Sequence, residues 1–180
     1  MEYPIIVCYT GGTCGDLISA LIDSSDAQLY NGTVKHTSLR ERLKKPHQFE
    51  STADKDYYIT NISKQYKSIP SHDLDYHIQK NHSFIGITIK DKTIALRAAT
   101  RFKNLHKPHV WEEMSKFSGA KTVEDYAQLL LDYSNLVEIH TSNIVKLERI
   151  LTGDAINDLA KLITTPFDND LYTNWLKNQQ

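Results

Sequence analysis

The chain has 180 residues, with 21 Lys and Arg against 22 Asp and Glu, a formal net charge of −1, and 40% apolar and 24% charged side chains. That length supports one domain with a hydrophobic core and is too short for two, and the mixture excludes a disordered chain. The near-zero charge gives no global attraction to nucleic acid or anionic membrane, and no apolar run approaches a bilayer-spanning length. The N-terminal MEYPIIVCY lacks the basic-then-apolar pattern of a secretory signal. The two cysteines, Cys8 and Cys14, make no disulfide framework, no CxxC pair and no complete zinc site. The expectation is reduced thiols in the cytoplasm.

In chain order, Pro4–Tyr9 is a short apolar run suited to a strand buried on both faces, as in a parallel sheet. The turn TGGTCG follows, and Asp16 opens the apolar helix LISALI. Residues 30–50 read as a polar loop with a short helix near Leu39–Lys44. Ser51–Asp54 has the form of a capping box, and the helix after it brings Tyr58 and Tyr66 to one face. Ile69-Pro70 breaks that helix, and a short strand ends near Ser71. Ser83–Ile89 is a second clear strand, rich in β-branched residues. Asp91 or Thr93 caps the next helix, Pro108 starts another, and Thr122–Ser142 is a long amphipathic helix. Ile144–Leu147 is a third strand, and Asp154–Ile163 and Asp170–Lys177 are terminal helices. Strands alternating with helices predict a single α/β domain over 1–180, a mostly parallel sheet between helical layers (three-layer α/β/α).

The candidate site is the strand–turn–helix corner formed by Thr10, Gly11, Gly12, Thr13, Cys14 and Gly15. Glycines let an anion approach the backbone closely, and the first N–H groups of the helix point at it with the aid of the helix dipole. Neither the Walker A pattern nor GxGxxG is present. The alternative for the same residues is a tight turn that binds nothing.

Tyr9–Cys14 resembles the PKSGTT loop of the sulfotransferases, with Gly12-Thr13 at its Gly-Thr. The resemblance implies a P-loop fold and a donor, 3′-phosphoadenosine-5′-phosphosulfate, whose 5′-phosphosulfate sits on this turn. The family's loop lysine falls on Thr10, so the charge at the leaving phosphate would come from Lys90, Lys92 or a lysine of the Arg40–Lys45 cluster. Ile69–Leu74 is similar to the family's short strand carrying the catalytic base, a role that falls on His72, with Asp16 as second candidate. Phe84–His106 resembles the strand and helix that grip the donor's 3′-phosphate, which assigns Lys90 and Arg97 to that group. Asn143–Gln180 resembles the closing block, with Trp175 on the last helix. The implied partners are the nucleotide donor and a small hydroxyl acceptor, with no membrane and no clear nucleic-acid signal.

Other constellations read more plainly. His36-Thr37-Ser38 and His140-Thr141-Ser142 repeat the H-x-[ST] form of two-histidine phosphoesterases, which chance explains in a chain with eight histidines. His72 and His77 read as surface histidines on a short helix, and RERLKK at 40–45 as a solvated helix face, with a phosphate-binding lid as its alternative. A non-catalytic module acting through a protein partner or homo-oligomer is the competing function.

Overall fold

The computed structural model describes residues 4–45, 48–164 and 166–179. Its centre is strand β1 (Ile5–Cys8), paired in parallel with β4 (Ser68–Ser71) on one side and β5 (Phe84–Thr88) on the other. Strand β6 (Ile144–Lys146) adds in parallel to β5, giving the order β4-β1-β5-β6. Val7 stands opposite Pro70 and Ile85 in this register. Pro70, which lacks an N–H, sits in the strand at the sheet's edge, where a missing donor is tolerated.

Adjacent residues of a strand point to opposite faces, and each face has its own core. Ile5 and Val7 join Ile85 and Ile87 against Leu17, Ile18 and Leu21 of α1 (Gly15–Ile22). The same cluster takes in Leu159 of α9 (Ala155–Leu162) and Trp175 of α10 (Asn169–Lys177). Ile6, Cys8 and Phe84 instead meet Leu74 of α4 (Leu74–Gln79) and Val137 of α7 (Val123–His140). Helices therefore cover both faces of a parallel sheet, as the alternation of elements predicts.

The helix boundaries follow local chemistry. The Asp91 carboxylate accepts from the amides of Thr93 and Ile94 to open α5 (Lys92–Leu105). Pro108 occupies the first turn of α6 (Pro108–Ser118), and Gly119 closes it at φ 75°. Thr122 and Asp125 form a reciprocal capping box on α7.

Three expectations need correction. Residues 28–35 are a β-hairpin outside the main sheet, β2 (Gln28–Tyr30) and β3 (Thr33–Lys35), with Asn31 and Gly32 at φ 47° and 70°. Two left-handed residues make the tight turn that matches strand twist. The cluster at 40–45 is not a solvated face: α2 (Ser38–Glu41) and the 3-10 turn Arg42–Lys44 bury Arg40 and Leu43 completely. Arg40 donates to the Asp23 carbonyl, the Asp26 carboxylate, and the hydroxyls of Ser19 and Ser68, and so ties α1, α2 and β4 together. His77 is fully buried rather than on the surface, with Nε2 2.8 Å from Ser71 Oγ and Nδ1 3.0 Å from His82 Nδ1.

Chain connectivity directs attention to one edge. From β1 the chain runs to β4 on one side, then crosses to β5 on the other and continues to β6. In such sheets ligands bind beyond the carboxyl ends of the strands, where the connections diverge. The turn after β1 lies there.

Candidate functional site

The corner between β1 and α1 is held open at its backbone. The Thr13 amide and hydroxyl both return to the Thr10 carbonyl, at 3.2 and 2.7 Å. Cys14 is the N-cap residue in a left-handed conformation (φ 62°), with no side-chain cap, and Ile18 makes the first helical bond to its carbonyl. Among the described residues no backbone acceptor takes the amides of Cys14, Gly15, Asp16 or Leu17. These are the donors that a helix N-terminus leaves for an anion.

The glycines have packing reasons as well. A Cβ on Gly11 would lie 2.4 Å from the Phe102 ring, and one on Gly12 2.9 Å from the Ala98 carbonyl of α5, at φ 90°. One on Gly15 would lie 2.0 Å from Tyr9 Cγ. The Tyr126 hydroxyl of α7 donates to the Gly11 carbonyl. The turn is thus pressed against α5 and α7 on one side and open on the other.

The open side faces a cleft of about 620 Å³. Gly12, Cys14 and Asp16 form its floor, the hairpin from Tyr30 to His36 one wall, and the end of α5 with Lys107 the other. Lys35, Lys44, Arg101 and Lys107 line it against two carboxylates, Asp16 and Glu41. In a chain of net charge −1 this is a local excess of positive charge.

The charges are not evenly spread. At one end the Lys44 ammonium lies 2.9 Å from Asp16 Oδ1 and also pairs with Glu41. Burial alone would lower the lysine's pKa, but the two carboxylates raise it above the ordinary value. His36 has no exposed side-chain surface, and its Nε2 is 3.2 Å from the Asp16 carbonyl. Burial first, then Arg40, depresses its pKa, so it is neutral at pH 7. Its Nδ1 is buried without a hydrogen-bond partner. At the other end Arg101 donates to Gln179 Oε1 and, at 3.1 Å, to the Gly32 carbonyl. The Cys14 thiol beneath is pushed up to about 11 by burial, which outweighs the opposing pull of Arg101. It is a protonated thiol at neutral pH, not a nucleophile.

His72 follows β4 and does not line the cleft. Its ring packs on Tyr9 at 4.4 Å between centroids, and its Nδ1 lies 2.8 Å from the Tyr9 carbonyl. A carbonyl only accepts, so Nδ1 carries the hydrogen and Nε2 keeps its lone pair. Burial lowers the ring's pKa and outweighs the Tyr9 hydrogen bond, which raises it. The Tyr9 hydroxyl is buried near Asp16, and burial with that charge raises its pKa well above the ordinary value.

Of the residues assigned from sequence, Gly12, Cys14 and Asp16 meet in the cleft, while Gly11 packs on Phe102 and Gly15 on Tyr9 outside its lining. Thr13 is 2% exposed with its hydroxyl turned inward, so it is not a ligand-facing group, whereas the Thr10 hydroxyl is buried with no partner. Lys90 and Arg97 do not join them. Lys90 lies 2.6 Å from Glu138 of α7, and Arg97 lines a shallow depression on the outer face of α5. The sequence assigned no role to Lys35, Arg101 or Gln179. Among the described residues no group of three or more His, Cys, Asp or Glu could hold a metal ion, and no helix is long and apolar enough to cross a membrane. Compared with protein-family models, with curated proteins and with solved structures, the chain matches none.

Proposed function

We propose that this chain binds the anionic group of a nucleotide at the head of α1 and acts as a sulfotransferase-like enzyme. The reading is carried by one observation: Cys14, Asp16 and Leu17, whose amides have no backbone acceptor, line a cleft together with four cationic side chains. The strand order, with the glycine-turn strand between β4 and β5, supports it, as does the unpartnered Thr10 hydroxyl at the turn.

The donor on this reading is 3′-phosphoadenosine-5′-phosphosulfate, which supplies an activated sulfuryl group and a good leaving phosphate. The chain's own residues do the rest. The amides of Cys14 and Asp16 hold anionic oxygens without reorganising. Arg101, whose acceptors are uncharged, provides the charge that Thr10 does not, while Lys44 is already held by Asp16 and Glu41. His72 lies outside the cleft, beyond β4; neutral and with Nε2 unpaired, it has the right tautomer to take a proton from an acceptor hydroxyl that approaches from that side. Asp16 is the second candidate base, restrained by Lys44.

The competing reading, a non-catalytic module, is favoured by the packing that accounts for Gly11, Gly12 and Gly15 without a ligand. A thermal-shift screen with 3′-phosphoadenosine-5′-phosphate, ATP, GTP and UDP-sugars separates the two. A ligand at a hundredfold its Kd adds about 2.7 kcal/mol of stability. Stabilisation by the bisphosphate, retained in His72→Ala while sulfuryl transfer is lost, supports the enzyme. No stabilisation by any nucleotide supports the module.

A further inference from the structure

The groups that hold Arg101 come from two places far apart in sequence. Gly32 is the tip of the hairpin, and Gln179 lies two residues beyond α10. The Gln179 side chain accepts from Arg101 Nη1 through Oε1 and donates through Nε2 to the Gly32 carbonyl at 3.1 Å. That same carbonyl accepts from Arg101 Nη2. The two side chains and the Gly32 carbonyl close a ring of three hydrogen bonds, which uses two of the five guanidinium N–H groups. None of these acceptors is a carboxylate, so the guanidinium is fixed in direction while its full charge remains for a ligand. Arginine is otherwise a long, flexible side chain that loses rotamer freedom on binding.

Resting on the nucleotide-site reading, we infer that Arg101 is the chief anion-binding side chain of the cleft and that Gln179 is its positioning residue, so that the segment after α10 completes the site. Gln179 touches no part of the ligand; it sets the plane in which Arg101 presents its free edge, and it pins the hairpin wall at Gly32 at the same time. A glutamine is chemically suited to this place. A glutamate would still accept from Arg101, but it would cancel the charge the anion needs and lose the donor that holds the Gly32 carbonyl.

The test is the Kd for adenosine 3′,5′-bisphosphate, measured by calorimetry beside the melting temperature. Gln179→Glu keeps the Arg101 contact but turns a carboxylate oxygen toward the Gly32 carbonyl that Gln179 Nε2 donates to, so it is expected to lower the melting temperature slightly while weakening binding about tenfold, the scale of a lost charged hydrogen bond. Gln179→Met, which adds no charge, is expected to weaken binding several-fold. In an Arg101→Met background, already weakened, Gln179→Met changes the Kd no further. Wild-type affinity in both Gln179 variants overturns the inference and leaves the nucleotide reading standing. An additive loss in the Arg101→Met background also overturns it, because Gln179 would then act by another route. Absence of bisphosphate binding by the wild-type chain overturns both.

Discussion

Gly15→Ala tests whether the turn's glycines answer to packing. Gly15 opens α1 without a left-handed backbone. In open space alanine there would stabilise the helix by about 0.5–1 kcal/mol. Here the new Cβ falls 2.0 Å from Tyr9 Cγ and 2.3 and 2.4 Å from its two Cδ atoms. Carbon atoms pack at about 3.5–4.0 Å, so the ring has to move by about 1.5 Å. It has little room. Tyr9 is 2% exposed, His72 lies against its ring, and its amide is bonded to Ser71. Overpacking of this kind costs about 1–3 kcal/mol, which reverses the sign and leaves the variant about 1–2 kcal/mol less stable. The assay is urea unfolding of wild type, Gly15→Ala, Tyr9→Ala and the double variant. With the ring gone, Gly15→Ala becomes neutral or stabilising, giving a coupling energy of about 1.5 kcal/mol or more. Additivity within about 0.5 kcal/mol would refute the packing argument.

Arg40→Met removes the buried guanidinium, so that Asp26 keeps only the Thr37 hydroxyl and Ser19 and Ser68 keep only each other; a loss of about 3 kcal/mol in urea unfolding is expected, and a loss under about 1 kcal/mol contradicts the role assigned to it. Acid sensitivity has a defined window. Burial, then His82 and Lys55, brings the His77 pKa down to about 3, against about 6.5 in an unfolded chain. The unfolded chain therefore takes a proton that the fold rejects. Stability is full above pH ~6.5 and falls by up to about 1.4 kcal/mol per pH unit below it. His36, His72 and His82 are depressed by burial as well and titrate with the same sign, so His77→Gln should reduce that slope without abolishing it between pH ~6.5 and ~4.5, above the range where Asp23 and Asp26 titrate; an unchanged slope contradicts it. Those two carboxylates hold depressed pKa values despite burial, through amide hydrogen bonds to Asp23 and the Arg40 bond to Asp26. Their share of stability is present above pH ~4 and disappears only in stronger acid.

The sheet was legible because its strands are short apolar runs between strong punctuation. Pro4 and the glycines bracket β1, and Asp91 both ends the β5 segment and caps α5. The amphipathic spacing placed α7 at Thr122–Ser142, within a residue of its start and two of its end. The hairpin escaped although Asn31-Gly32 is a strong turn signal, because each three-residue strand offers a single inward apolar residue, Leu29 or Val34, too short a run to register as alternation. Arg40 defeated the charge pattern: one guanidinium among six residues was drawn inward by partners at positions 19, 23, 26 and 68 that no local rule connects. The site divides in the same way. Its backbone half, Gly12 to Asp16, is contiguous and announced by glycines. Its side-chain half is assembled from Lys35, Lys44 and Arg101, with Gln179 joining across 78 residues, and only the folded chain brings these together.

Backbone amide shift mapping during a titration with 3′-phosphoadenosine-5′-phosphate addresses the nucleotide site most directly. Saturable shifts concentrated at Gly12, Cys14, Asp16 and Gly32 are the predicted result. Shifts absent from the head of α1, or confined to the Arg97 face of α5, would contradict it.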